Sequence, residues 1–195
     1  MNNKKVYIIH GWGGDPKVDW YVWLENQLQD KGFEVCVLAM PNPESPDVKE
    51  WTDFISNQVG EPNDNILFIG HSVGCQAILR YLQESQTRAL GVICVAGWFM
   101  LKGLDAEEEE IAELWLDISL IDFKKIRKNV GKLVAIFSDN DPYVPLVENK
   151  KVFEEELNAE IIIQKNKGHF TEEDGIRELP VVLEEVLKIK GGNNK

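Results

Sequence analysis

Short, continuously apolar runs alternate with longer amphipathic stretches along almost the whole chain. The apolar runs predict six strands, at Lys5–Ile9, Glu34–Ala39, Ile66–Ile69, Leu90–Val95, Lys132–Phe137 and Glu160–Gln164. The stretches between them predict seven helices, at Val18–Lys31, Pro46–Val59, Val73–Ser85, Ala106–Leu116, Phe123–Lys128, Leu146–Leu157 and Gly175–Lys188. Strands that are apolar on both faces are typical of a parallel sheet covered by helices on both sides. The pattern therefore predicts an α/β fold: a three-layer α/β/α sandwich around a largely parallel, six-stranded sheet.

One segment, Gly97 to Asp122, is longer than a simple crossover needs. It contains two tryptophans and an acidic helix. Because ligands of an open α/β sheet bind beyond the carboxyl ends of the strands, we expect this segment to overhang the binding edge. Two interpretations stay open, a small cap over the site or two packed helices with no functional role.

Length and composition predict one domain. A chain of 195 residues with 44% hydrophobic content suits a single core over residues 1–190, followed by a frayed tail at 191–195. The apolar runs are too short to span a bilayer, and the first residues lack the features of a signal peptide. Three cysteines without a close pair predict neither a disulfide framework nor a Cys-x-x-Cys site. We expect a cytoplasmic protein.

The charge balance limits the possible partners. The net charge is −12, from 21 basic and 33 acidic residues. Such a surface repels phosphate backbones and anionic lipid, so neither nucleic acid nor a membrane is an expected partner. The runs Glu107–Glu110 and Glu154–Glu156 are interpreted as solvated helix faces.

The pentapeptide Gly70-His71-Ser72-Val73-Gly74 joins a predicted strand directly to a predicted helix. This strand–turn–helix context is the one that a nucleophile elbow requires, with Ser72 as the nucleophile. Glycine two residues to either side of the serine is expected because the strand and the helix approach too closely there for a Cβ atom.

A serine nucleophile needs a histidine as its base. Of the three histidines, His71 lies inside the elbow and should point away from Ser72, and His10 ends the first strand. His169 follows the last strand, in a loop that can reach back to the serine. The sequence therefore predicts His169 as the general base.

An acid after the fifth strand completes the order serine, acid, histidine along the chain. The segment Ser138-Asp139-Asn140-Asp141 supplies two candidates, and spacing alone does not choose between Asp139 and Asp141. An ionised aspartate would orient His169 and stabilise the imidazolium formed during attack.

Backbone amides are the predicted oxyanion donors. Val73 follows the nucleophile, and Trp12 lies in the glycine-rich loop Gly11-Trp12-Gly13-Gly14 after the first strand. That loop does not match the dinucleotide-binding pattern, because position 16 is proline and no acid ends the second strand. Histidines, cysteines and carboxylates show no metal-ligand spacing, so we predict no metal and no cofactor.

Several further motifs carry a family resemblance that runs almost end to end. They are His10-Gly11-Trp12-Gly13-Gly14, Trp20 with Trp23-Leu24, Met40-Pro41-Asn42-Pro43 with Pro46 and Trp51, the elbow with Cys75, Val95-Ala96-Gly97-Trp98, Asp141-Pro142-Tyr143-Val144-Pro145 and Gly168-His169-Phe170. With these residues the chain resembles the small serine hydrolases related to retinoblastoma-binding protein 9 and bacterial YdeN.

The resemblance implies a minimal α/β-hydrolase fold with six strands and little or no lid. It also implies that Asp141, which precedes Pro-x-aliphatic-Pro, is the catalytic acid, and that Asp139 is a turn residue. The Leu-x-Cys-x-Glu segment associated with retinoblastoma binding is absent around Cys36, Cys75 and Cys94. We therefore expect no retinoblastoma-type partner.

Two functional hypotheses follow. The first is hydrolysis of a small ester, thioester or amide through an acyl-enzyme, by a monomer or weak dimer. The second is a catalytically silent scaffold that keeps the hydrolase fold and uses exposed tryptophans for binding. For the first, the residues predicted to line the substrate pocket are His10, Gly11, Trp98, Phe99, Tyr143 and Phe170.

Overall fold

The computed structural model of the protein describes residues 4–191, and its strands form one parallel sheet. The strands are β1 (Lys5–Ile9), β2 (Glu34–Leu38), β3 (Ile66–His71), β4 (Ala89–Val95), β5 (Val130–Ser138) and β6 (Glu160–Gln164). They lie side by side in the order β2-β1-β3-β4-β5-β6. The predicted tail, 191–195, lies outside the described residues except for Gly191.

Within residues 4–191, seven α-helices cover the two faces of the sheet. They are α1 (Tyr21–Gln29), α2 (Val48–Val59), α3 (Val73–Glu84), α4 (Ala106–Leu116), α5 (Phe123–Asn129), α6 (Leu146–Glu155) and α7 (Pro180–Gly191). Buried residues of α1 and α7 pack on one face, and those of α2 to α6 pack on the other. The predicted three-layer sandwich is therefore confirmed. Within residues 4–191, no helix is both long and apolar enough to cross a membrane.

Two helices begin three or more residues later than the hydrophobic pattern predicts. The first begins at Tyr21 and not at Val18, because Asp19 has a φ of 54°, which a right-handed helix does not accept. The last begins at Pro180 and not at Gly175. Gly175 has a φ of 79° and belongs to a turn in which the Ile176 amide donates to the Thr171 carbonyl. Proline suits the first position of a helix, where no amide hydrogen is needed.

The strand order brings the functional loops together. The chain runs from β1 outward to β2 and then returns to the other side of β1 as β3, so the loops after β1 and β3 leave the sheet side by side. The register pairs Ile9 with Gly70 and His71 with Val95. This reversal of strand order is where open α/β sheets bind ligands.

The segment Gly97 to Asp122 is anchored to α3. Its helix α4 starts with a capping box between Asp105 and Glu108, and it ends where the buried Arg80 guanidinium donates to the carbonyls of Leu114 and Trp115, at 3.0 and 3.1 Å. The Gln76 side-chain amide also donates to the Trp115 carbonyl, at 3.0 Å. The segment is thus fixed against the helix that follows the nucleophile elbow.

Arg80→Ala should destabilise the fold by about 3 kcal/mol, because it removes a buried side chain and its charge-assisted hydrogen bonds to α4. Arg88→Ala is the matched control, since the exposed Arg88 donates to a single carbonyl, that of Gly131. It should change the free energy of unfolding by less than about 0.5 kcal/mol. Urea denaturation measures the free energy of unfolding of both variants. If Arg80→Ala loses no more than Arg88→Ala, the anchoring of α4 does not contribute to stability.

Candidate active site

Ser72 occupies the turn between β3 and α3 in a backbone conformation that L-residues rarely adopt. Its φ is 52° and its ψ is −122°. The Ser72 amide donates to the Val95 carbonyl at 2.9 Å, which ties the turn to β4. Such strain persists only where the surroundings impose it, and it lifts the side chain above the end of the sheet.

The two glycines of the elbow are required by close packing. A Cβ atom on Gly70 would lie 2.7 Å from the Cys75 backbone nitrogen, and one on Gly74 would lie 2.5 Å from the Ile9 carbonyl oxygen. Cβ atoms do not tolerate such distances. Glycine is therefore required at both positions because α3 approaches β3 and β1 so closely.

His169 and Asp141 form a hydrogen-bonded pair at the same edge of the sheet. The distance from His169 Nδ1 to Asp141 Oδ2 is 2.8 Å, and the Asp141 side chain is buried. The other oxygen, Oδ1, accepts from the amides of Tyr143 and Val144 at 2.9 and 3.0 Å. Because an ionised carboxylate only accepts, Nδ1 carries the hydrogen and Nε2 remains an acceptor.

Asp139, the other candidate acid, has a different contact. Its Oδ1 accepts from the Asn166 amide at 2.8 Å, which links the loops after β5 and β6. Of the two aspartates that spacing leaves open, the structure brings Asp141 to His169.

The backbone of the His169 loop is held by side chains to which the sequence analysis gave no role. Asp174 Oδ2 accepts from the His169 amide at 2.8 Å and from the Thr171 amide at 3.1 Å. Asn140 Oδ1 accepts from the Gly168 amide at 2.9 Å. A Thr-x-x-Asp turn is visible in the sequence, but its contact with His169 depends on the positive φ of Gly168 and becomes apparent only in three dimensions.

His71 also supports His169, through a buried hydrogen-bond chain. Burial lowers the pKa of His71 to about 3, and burial raises the pKa of Tyr21. Both groups are therefore neutral. The Tyr21 hydroxyl is 2.6 Å from His71 Nδ1, and His71 Nε2 is 2.8 Å from the His169 carbonyl oxygen. Since a carbonyl only accepts, Nε2–H donates to it and Tyr21 donates to Nδ1.

The glycine-rich loop lies directly against Ser72. A Cβ atom on Gly11 would be 3.3 Å from Ser72 Cβ. The amides of Gly13 and Gly14 donate to the carbonyls of Pro43 and Gly11. By contrast, within residues 4–191 the Trp12 and Val73 amides have no protein acceptor. Within that part of the chain, the two amides predicted as oxyanion donors are therefore unpaired; Trp12 lines the cleft described below, and Val73 directly follows Ser72.

A cleft of about 620 Å³ opens over Ser72 and His169. Of the residues predicted to line the pocket, Gly11, Trp98 and Tyr143 belong to its wall. Leu101, Leu104 and Glu108 from the anchored segment also line it, so the segment overhangs the cleft.

The other three predicted pocket residues lie behind the wall. His10 is buried; its Nε2 accepts from the Met40 amide at 3.1 Å, and burial lowers its pKa. The Phe99 ring packs against Phe123 and Phe153. Phe170 is fully buried in the core beneath α1 and α7. All three side chains pack the interior and do not reach the cleft.

The cleft has a strongly negative lining. Among the described residues, no lysine or arginine lines it, whereas five carboxylates do: Asp19, Glu44, Glu108, Glu173 and Asp174. Burial raises the pKa of Asp19, whose Oδ1 accepts from the Glu172 amide at 2.6 Å. The electrostatic potential of the cleft therefore disfavours anions.

His71 should make the stability of the protein sensitive to acid. In the unfolded chain histidine has a pKa of about 6.5, so between that value and about 3 the unfolded state binds a proton that folded His71 excludes. The contribution of neutral His71 is complete above pH 6.5 and is lost as the pH falls. His71→Gln keeps an acceptor for Tyr21 and a donor for the His169 carbonyl but cannot titrate.

Between pH 6 and 4, the free energy of unfolding of the wild type should fall more steeply than that of His71→Gln, by about 1.4 kcal/mol per pH unit. Urea denaturation at several pH values measures the difference. Parallel curves for the two proteins would show that His71 is not held neutral by burial.

Comparison with known proteins places the chain in a family. The family model described as "Serine hydrolase" matches residues 6–188. The putative hydrolase YdeN of Bacillus subtilis (strain 168) is 31% identical over 185 residues, which are 93% of each chain. Serine hydrolase RBBP9 of Rattus norvegicus is 28% identical over 169 residues, covering 86% of this chain and 87% of that protein.

Solved structures show the same fold. The crystal structure of the ydeN gene product from B. subtilis superposes with a TM-score of 0.87 at 28% identity, covering 97% of this chain and all of the other. A structure from a study of Nitrososphaera gargenis carboxylesterases has a TM-score of 0.71 at 15% identity, over 98% of this chain and 92% of that one. The resemblance inferred from the motifs is confirmed: the chain has the α/β-hydrolase fold and belongs to the serine hydrolase family.

Proposed function

We propose that the protein hydrolyses a small carboxylic ester, thioester or amide through an acyl-enzyme formed on Ser72. The observation that carries this proposal is the His169–Asp141 hydrogen bond of 2.8 Å, at the sheet edge where Ser72 is held in its strained turn. Three chain segments far apart in sequence supply the three side chains that acyl transfer by a serine requires. Carboxylic esters are the first choice of substrate.

In the proposed mechanism, Ser72 Oγ attacks the acyl carbon while its proton passes to His169 Nε2. The carbonyl π electrons move to the carbonyl oxygen, where the free amides of Trp12 and Val73 donate hydrogen bonds to the developing charge. When the intermediate collapses, the bond to the leaving group breaks and His169 returns the proton to that group. Water then repeats the sequence on the acyl-enzyme, with Asp141 stabilising the imidazolium in both halves.

The cleft supports a small substrate that is neutral or cationic. Its volume of about 620 Å³ suits one small molecule. Trp98, Leu101 and Leu104 offer apolar surface for an acyl group, whereas the carboxylates of the lining repel an anionic one. The three cysteines are free thiols, which fits the proposed cytoplasmic location. A monomer or weak dimer remains our prediction for the oligomeric state.

A fluorophosphonate probe should label the folded protein at Ser72, and Ser72→Ala should abolish labelling. Asp141→Asn should lower kcat/KM for p-nitrophenyl acetate by about 10³- to 10⁴-fold, because His169 loses the acceptor that fixes its tautomer. Asp139→Asn is the matched control and should stay within about threefold of the wild type, because its amide oxygen can still accept from Asn166. Mass spectrometry of the labelled peptide and steady-state kinetics are the measurements.

A folded wild type that resists the probe, and that behaves like Ser72→Ala, would overturn hydrolysis by this triad. A stable protein complex found together with no turnover across an ester panel would instead support the catalytically silent scaffold. If kcat/KM falls equally in Asp141→Asn and Asp139→Asn, Asp141 does not act as the catalytic acid.

The negative lining should appear as a charge preference among substrates. The test measures kcat/KM for p-nitrophenyl esters of similar size whose acyl groups end in a trimethylammonium, a methyl or a carboxylate. At low salt the carboxylate ester should have a kcat/KM about tenfold or more below the neutral ester, and the gap should narrow as salt screens the cleft. Asp19→Asn should reduce the discrimination. Equal rates for the anionic and neutral esters would contradict the prediction.

A further inference from the structure

The nucleophile has a hydrogen-bond partner that the triad does not include. The indole Nε1 of Trp98 lies 3.2 Å from Ser72 Oγ, and both residues are buried. Trp98 follows β4, the strand next to the one that ends at the elbow. Its side chain therefore contacts the reacting atom itself as well as lining the cleft.

The direction of this bond follows from the chemistry of the two groups. An indole nitrogen carries a hydrogen and has no acceptor capacity, so Ser72 Oγ accepts from Trp98. The hydroxyl hydrogen of Ser72 must then point to a different acceptor. His169 Nε2 is such an acceptor, because its Nδ1–H is given to Asp141. With the indole donating to Oγ, the proposed mechanism has the Ser72 hydroxyl donate in turn to His169 Nε2.

We propose that Trp98 is a further catalytic residue, whose indole N–H donates to Ser72 Oγ while the bond between Oγ and the acyl carbon forms and breaks. The proposal rests on the hydrolase function proposed above. During attack, Oγ releases its proton to His169 Nε2 and uses an electron pair to bond to the acyl carbon. During deacylation that bond breaks, and Oγ recovers the electron pair and takes a proton from His169.

Oγ carries partial negative charge in the transition states of both steps. In the acyl-enzyme between them it is an ester oxygen and a weaker acceptor. A donor fixed beside it therefore binds each transition state more strongly than the state before it, which is the neutral hydroxyl in acylation and the ester oxygen in deacylation. That difference is the condition for catalysis. The Trp98 N–H acts on the nucleophile oxygen, whereas the amides of Trp12 and Val73 act on the carbonyl oxygen.

The structure holds Trp98 in place from the same helix that Ser72 begins. The Gln76 side-chain amide donates to the Trp98 carbonyl at 2.8 Å. Gly97 fits tightly there, since a Cβ atom on it would lie 2.8 Å from Phe153 Cζ and 3.2 Å from Cys75 Sγ. Ala96, with a φ of 47°, turns the chain just before this point. The position of the indole is therefore fixed relative to Ser72.

The test removes the N–H and keeps the ring. Replacing Trp98 by 3-benzothienylalanine substitutes a sulfur for the N–H in a ring of almost the same shape. Trp98→Phe is a second, simpler variant. Trp115→Phe is the matched control, because it loses a buried indole bond of 2.7 Å to the Pro46 carbonyl without touching Ser72. Circular dichroism and thermal melting establish that each variant is folded.

The second-order rate constant for fluorophosphonate labelling and the kcat for p-nitrophenyl acetate should both fall about tenfold in the benzothienylalanine variant, with KM unchanged. Trp115→Phe should keep the wild-type labelling rate. A benzothienylalanine variant that is labelled at the wild-type rate overturns the proposal. A change that appears only as a higher KM also overturns it, because it would indicate that the ring contacts substrate by shape alone.

The two proposals fail in different ways. If the wild type is not labelled at Ser72, the hydrolase function itself fails. If the wild type is labelled and the variant keeps its rate, only the assignment of Trp98 fails.

Discussion

The close approach of α3 to β1 and β3 is the constraint on which the rest of the site depends. Without side chains at Gly70 and Gly74, the helix can begin immediately after the strand ends, and Ser72 is left in the tight turn between them. A strained residue of this kind costs about 1–3 kcal/mol. That cost is offset by burial of α3, whose first ten residues, Val73–Leu82, are all buried. The most deeply packed helix of residues 4–191 is therefore also the one that follows Ser72, the proposed nucleophile.

His169, the proposed base, is positioned in a different way, by hydrogen bonds rather than by a helix. His169 lies in an irregular loop, and three separate groups hold it: Asp141 fixes its ring, Asp174 its amide and His71 its carbonyl. These three hydrogen bonds act on the ring, the amide and the carbonyl of His169, so together they restrict both its backbone and its side chain. Such preorganisation limits the reorganisation required when the imidazole takes up a proton. Ser72 and His169 line the same cleft because β3, β5 and β6 all end at the same edge of one parallel sheet.

Much of this could be predicted from the sequence, because strands buried on both faces are continuously apolar and because the elbow needs glycines at a fixed spacing. The strand positions and the sandwich followed from these two signals. The first and last helices start later than predicted, at Tyr21 and Pro180. The cause is a positive φ angle at Asp19 and at Gly175, which the hydrophobic pattern does not reveal. Phe99 and Phe170 were expected in the pocket because they neighbour functional residues, but adjacent residues point in different directions once the chain turns. The contact between His71 and the His169 carbonyl joins residues 98 positions apart, and no local pattern encodes it.

The anchoring of residues 97–122 to α3 has a further consequence. Gln76 and Arg80 bind this segment to the helix that begins at the nucleophile, so Leu101 and Leu104 share a support with Ser72. Under the proposed function, the wall that would meet the acyl group and the serine that would attack it are held by one helix, so a substrate would be selected by a shape that exists before binding. On the same proposal, substitutions at Leu101 or Leu104 would change which acyl groups fit without moving Ser72.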